Sequence, residues 1–291
     1  MTRQPAACSR AAKASAVNPI PKHNNAGILA PVQPYRGLTL EIATDSGESE
    51  VMMIPLLAAG ALVVSSTFSY PQCLKRSERY PEDALEMAMN ALVDGSDPMA
   101  EHCAAVALVG LKQYAEAARR LDALARKGAA GDAEMRAEIL NQAGNAWLLA
   151  GQGELAAASF TAAIALMPGE SLFLIDRARA WASQKKWAQA ETDLSAALVA
   201  EPGNIEALVL RSSARRAQKN LQGAKGDVTQ ALLLEPENTE ALAERGLIRA
   251  ASGDKAGARQ DFLKVLDKAP NGPAAASARR EIERLEVKKG R

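Results

Sequence analysis

Pro168, Pro202, Pro236 and Pro270 stand 34 residues apart, three intervals in succession, and this period constrains the fold more than any other feature of the chain. Around each proline the same side-chain sizes recur. Gly144, Ala178, Ser212 and Gly246 lie 24 places upstream, and Ala156, Ala190, Ala224 and Ala258 lie 12 places upstream. Phe160, Leu194, Val228 and Phe262 fall 8 places before the prolines, and Ala163, Ala197, Ala231 and Val265 fall 5 places before. Small residues where two backbones approach, one larger side chain filling the gap and a turn at the proline describe two antiparallel helices packed face to face. Composition points the same way. Aromatic residues make up only 4% of a chain that is 48% apolar and rich in alanine, a balance that suits close-packed helices and starves sheets of bulky β-branched residues. The fold class is therefore all-α.

The turns repeat as well. Met-Pro-Gly-Glu, Glu-Pro-Gly-Asn, Glu-Pro-Glu-Asn and Ala-Pro-Asn-Gly place proline where its fixed φ favours a turn, and Asn204 and Asn238 fall where the next helix needs an N-cap. Gly151/Gly153, Lys185/Lys186, Lys219/Asn220 and Gly253/Asp254 mark the break inside each unit. Over four units, about 137–168, 171–202, 205–236 and 239–270, the chain resembles the tetratricopeptide repeat family. The resemblance implies a right-handed α-solenoid of antiparallel helix hairpins. Upstream, residues 70–136 hold less regular repeats. One unit at about 98–129 carries Gly110 and the run Tyr114 to Ala117, and a helix over Pro81–Val93 precedes it. Downstream, in residues 271–291, Pro273–Val287 is amphipathic, as expected of a C-terminal capping helix that closes a solenoid.

Three units share a further correspondence: Arg177 with Asp193, Arg211 with Asp227 and Arg245 with Asp261, sixteen residues apart each time. Where the first regular unit would carry them, Ala143 and Ser159 stand instead, so both charges vanish together. An ion pair inside each of the three hairpins is expected; the alternative is a basic ladder for an acidic ligand. The family resemblance implies that the first helix of each unit lines a concave groove that holds a peptide or an extended segment of a partner protein. By that analogy the groove includes Glu138, Asn141, Asn145, Leu172, Ile175, Arg179, Glu206, Val209, Ser213, Arg216, Glu240, Ala243 and Leu247. The family's carboxylate clamp for acidic chaperone tails needs a Lys-xxx-Asn, an Asn and a Lys-xxx-Arg on consecutive first helices; only Asn141-xxx-Asn145 echoes it and the clamp's basic members are missing, so chaperone-tail binding is not expected. A different class of function is also open, a structural scaffold or self-associating component of a cell-envelope complex. Exposed apolar surface on the amino-terminal helices would favour it.

Cys73 and Cys103 are 30 residues apart, about one hairpin, on segments expected to be neighbouring first helices. A disulfide is one outcome and a pair of buried free thiols the other. Residues 1–50 hold five prolines and no sustained apolar period and are expected to be a disordered tail. Residues 51–69 read as a signal-peptide-like segment, with an apolar core at Ile54–Val64 and a mature start at Tyr70. Met52 and Met53, directly before that core, suit an internal translation start. The folded part is then periplasmic or secreted; a retained membrane anchor over 51–68 is the alternative. Lys plus Arg number 35 against 34 Asp plus Glu, so no net field favours nucleic acid. With two histidines, His23 and His102, and no P-loop, GxSxG or HExxH motif, no catalytic residue, metal ligand or cofactor is expected, and the chain reads as a non-catalytic binding protein.

Overall fold

The computed structural model describes residues 68–93, 95, 97–127 and 131–287. The apolar segment 51–67, the tail with Cys8 and His23, and most of the loop 128–132 lie outside the described residues. Those described form thirteen helices and no strand. They are α1 (Tyr70–Ser77), α2 (Pro81–Val93), α3 (Pro98–Gly110), α4 (Tyr114–Arg126), α5 (Ala133–Leu149), α6 (Gly153–Leu166), α7 (Ser171–Ser183), α8 (Trp187–Ala200), α9 (Ile205–Ala217), α10 (Leu221–Leu234), α11 (Thr239–Ala251), α12 (Lys255–Lys268) and α13 (Ala275–Val287). Among these helices none is long and apolar enough to cross a membrane.

Each helix packs chiefly on its neighbours in sequence, so the described residues form a stack of hairpins. α1/α2 and α3/α4 precede the four regular units, which are α5/α6, α7/α8, α9/α10 and α11/α12. From α3/α4 onward the break inside each hairpin is a left-handed residue, at Lys112, Gly151, Lys185, Lys219 and Gly253, with φ of 61°, 74°, 59°, 66° and 90°. At the unit starts, Asn204 accepts from the Ala207 amide and Asn238 from the Ala241 amide, 3.0 and 2.9 Å, which caps otherwise unpaired helix donors. Two boundaries differ from expectation. α5 begins at Ala133, four residues before the unit expected at 137, because Asp132 caps it by accepting from the Met135 amide. The capping helix starts at Ala275, two residues inside the expected Pro273.

The small-to-large pairing is visible inside each hairpin. A Cβ built on Gly144 would sit 2.5 Å from the Phe160 ring, and one on Gly246 would sit 2.6 Å from the Phe262 ring. Glycine is thus required where phenylalanine fills the hairpin, while Ala178 and Ser212 face the shorter Leu194 and Val228. Phe160, Leu194, Val228 and Phe262 are all buried. At the far end, α13 lays Ala278, Ile282 and Leu285 against the core of the last units.

Successive first helices meet: α1 with α3, α5 with α7, and α9 with α11, whereas no two successive second helices make as much contact. The first helices therefore form the inner face of the stack. α7 and α9 are the exception among the regular first helices, since they make less contact with each other than the pairs on either side.

Candidate functional site

The three expected ion pairs lie between the two helices of their hairpins. Arg177 grips Asp193 through Nε and NH2 at 2.8 and 2.7 Å, Arg211 grips Asp227 at 3.0 and 2.8 Å, and Arg245 grips Asp261 at 3.0 and 2.7 Å. All three aspartates are buried. The fork-to-carboxylate geometry is the strong form of such a contact, and each aspartate takes one more donor from the first helix. That donor is Trp181 Nε1 at 3.0 Å for Asp193, Arg215 at 2.9 Å for Asp227 and Arg249 at 2.7 Å for Asp261. The seam also crosses between hairpins, because Arg177 donates to Thr161 and Arg211 to Ser195, at 3.1 and 3.3 Å.

In the first regular unit the missing carboxylate is supplied from the hairpin before it. Asp122 of α4 accepts from Trp147 Nε1 at 2.8 Å and from Ser159 Oγ at 2.9 Å. Ala143 and Ser159 show only that the pair is gone, so the sequence reading missed this replacement. Asp122 occupies its hairpin as Thr161 and Ser195 occupy theirs, a register hidden by the extra residues between α4 and α5.

The residues expected to line the groove divide by register. Ile175, 1% exposed, belongs to the core of the regular units, and Ala243 at 9% belongs with it; both are corrected to core positions, because that register faces the neighbouring first helix. Asn141 is buried too, and its Oδ1 accepts no hydrogen bond. Glu138, Asn145, Arg179, Val209, Ser213, Arg216 and Leu247 are half-buried, while Leu172, Glu206 and Glu240 are exposed.

Polar groups on the inner face are cross-linked among themselves. The buried Asp176 accepts from Asn145 Nδ2 at 3.2 Å and pairs with Arg179, which also reaches Glu206. Arg216 holds the buried Glu244 at 2.6 and 3.0 Å. Burial pushes the Glu244 carboxyl above the usual range, and the Arg216 guanidinium pulls it part of the way back. Where α7 and α9 part, a cavity of about 280 Å³ opens. Its walls are Ala178, Arg179, Ala182 and Ser183 of α7, Trp187, Ala190 and Leu194 of α8, and Leu210, Ser213 and Ala214 of α9. Arg179 and Ser213 were expected on the groove; Trp187, on a second helix, was not, and its place at the first position of α8 is what brings the indole there.

A tetratricopeptide repeat profile matches residues 209–273, which span α11 and α12 together with most of the unit before them. The chain carries tetratricopeptide repeats. A thermophilic TPR protein of Thermus thermophilus is 16% identical, overlays 66% of this chain and 100% of its own at a TM-score of 0.52. MamA of Desulfovibrio magneticus RS-1 is 21% identical over 60% of this chain and 97% of its own, also at 0.52. The second TPR domain of human RPAP3, solved with an HSP70 peptide, is 30% identical over 40% of this chain and 98% of its own, at 0.39. A search of curated proteins gives no match. TPR domains generally mediate protein–protein interaction, and their fold is typically a non-catalytic interaction module.

Ahead of the regular TPR units, Cys73 of α1 and Cys103 of α3 are joined by a disulfide, with their Cα atoms 6.2 Å apart. Beside it the buried His102 bridges three helices. Its Nε2 donates to Gln142 Oε1 on α5 and its Nδ1 accepts from the Tyr70 hydroxyl on α1, each at 2.7 Å. Burial lowers the His102 pKa, and the Gln142 hydrogen bond opposes that shift. Among the described residues no group of three His, Cys, Asp or Glu side chains is placed to hold a metal ion.

Proposed function

We propose that the regular TPR units hold a peptide or an extended segment of a partner protein along the inner face of α5, α7, α9 and α11, with the cavity between α7 and α9 as its anchor point. The cavity is the observation that supports this reading. At about 280 Å³ it lies just below the volumes typical of drug-sized ligand pockets, about 300–1,000 Å³, and suits one large side chain of an extended segment. A photo-crosslinking amino acid at Leu172 on the inner face, compared with one at Val199 on a second helix, tests the reading in the native host. Crosslinks to a partner are expected from Leu172 and not from Val199; the reverse pattern would move the binding surface to the outer face.

A scaffold or self-associating role is the second reading, favoured by apolar side chains on the first hairpin. Tyr80, Met89 and Val93 are 60, 40 and 79% exposed. On this reading a concentration-dependent dimer seen by sedimentation should disappear in a Met89→Ser/Val93→Ser variant. For location, the proposal is a periplasmic or secreted folded part, supported by the Cys73–Cys103 disulfide, since such bonds persist in oxidising compartments. Intact mass from separated periplasm and cytoplasm, with and without thiol reduction, tests it. A cytoplasmic product with both thiols free would remove the support.

A further inference from the structure

We infer that the segment held at the α7/α9 cavity is cationic, with an aliphatic or aromatic side chain entering the cavity and lysine or arginine beside it; this rests on the inner-face reading above. Two observations carry it. Seven of the ten residues lining the cavity are apolar, Trp187, Leu194, Leu210 and four alanines, against Arg179, Ser183 and Ser213, so an apolar side chain suits it best, because a polar group away from those three would lose its water without gaining partners. Along the inner face, α7, α9 and α11 set four carboxylates, Asp176, Glu206, Glu240 and Glu244, against two guanidiniums, Arg179 and Arg216, and Arg179 itself lines the cavity.

Both guanidiniums are already engaged. Arg179 spans Asp176 and Glu206, and Arg216 closes on Glu244. An acidic segment reaching the cavity would have to displace a carboxylate of the protein itself, and breaking a buried pair leaves a charge uncompensated. A basic segment has no such obstacle. Glu206 and Glu240 are exposed at the starts of α9 and α11, Glu206 reaches the cavity-lining Arg179, and a positive group beside Glu206 adds to that contact without breaking it. Complementary charge of this kind mainly steers encounter and excludes wrong partners, while the apolar anchor supplies the burial that holds the segment in place.

The test uses the whole chain and three fluorescent synthetic decapeptides with the same central leucine, flanked by lysine and arginine, by serine and glutamine, or by glutamate. Fluorescence anisotropy should show the cationic peptide binding about tenfold more tightly than the acidic one at low salt, a preference that shrinks as salt rises. Replacing its leucine by glycine should abolish binding. Ala182→Phe, which fills the cavity, should do the same; Ser213→Leu narrows it from the α9 side and serves if the first variant melts early by circular dichroism. Glu206→Gln/Glu240→Gln should reduce the preference without abolishing leucine dependence. Equal or tighter binding of the acidic peptide, lost in Ala182→Phe, would overturn the charge assignment and leave the inner face as the binding surface. If no peptide of any charge responds to the cavity variants, both the inference and the inner-face reading fall.

Discussion

At the scale of single residues, the second donor on each buried aspartate decides what an ion pair is worth. Asp193 has one guanidinium, Arg177, and the neutral Trp181 indole, whereas Asp227 has two, Arg211 and Arg215. Arg177→Ala therefore leaves a buried carboxylate with only a neutral donor and should cost about 3 kcal/mol, while Arg211→Ala leaves Arg215 in place and should cost about 1 kcal/mol. Urea unfolding of the two variants checks the order, and equal losses would show that the seam carries no such hierarchy. His102 adds a dependence on pH. Its pKa in the folded protein is lowered, so the unfolded chain binds the extra proton more readily, and the contribution is present above the ordinary histidine value of about 6.5 and lost as pH falls below it. Protonation also places a second N–H on Nδ1, against the Tyr70 hydroxyl that now donates to it. Melting temperature should fall from pH 7 toward pH 5, and His102→Gln should flatten that fall.

Single elements show what could be read in advance and what could not. The repeat period, the hairpin breaks and the small-to-large pairing were legible because each depends on residues inside one 34-residue unit. That pairing yields a prediction: Gly144→Ala forces a methyl group into the Phe160 ring and should cost about 2 kcal/mol, as overpacking does. Gly144→Ala/Phe160→Leu, which recreates the Ala178/Leu194 arrangement, should recover most of the loss in the same urea titration. If the double variant is no more stable than the single one, the two positions are not coupled. What escaped the sequence lies between units. Ile175 and Ala243 share a register with the half-buried Val209, and only the spacing of neighbouring first helices decides which of them is covered. Asp122 likewise acts in a hairpin it does not belong to, and Trp187 lines a cavity that exists because α7 and α9 stand apart.

For the stack as a whole, stability is a sum of hairpins and the contacts between neighbours, so the ends are the weak points and each is reinforced differently. At the carboxyl end α13 covers the core with Ala278, Ile282 and Leu285. At the amino end of the described residues α1 is only eight residues long; Cys73 and Ser77 are its buried side chains, and Tyr70 and Leu74 pack on the core partly buried. The disulfide to Cys103 and the Tyr70–His102–Gln142 bridge add to that packing. Closing a loop of this length is worth about 3.5 kcal/mol in chain entropy, and in a stack that gain should stay local. Reduction, or Cys73→Ala/Cys103→Ala, should speed amide exchange in α1 and α2 by one to two orders of magnitude while leaving α7 to α12 unchanged, because those hairpins keep both neighbours. Exchange that accelerates evenly along the chain would mean that the solenoid unfolds as one cooperative unit, with the disulfide acting on all of it.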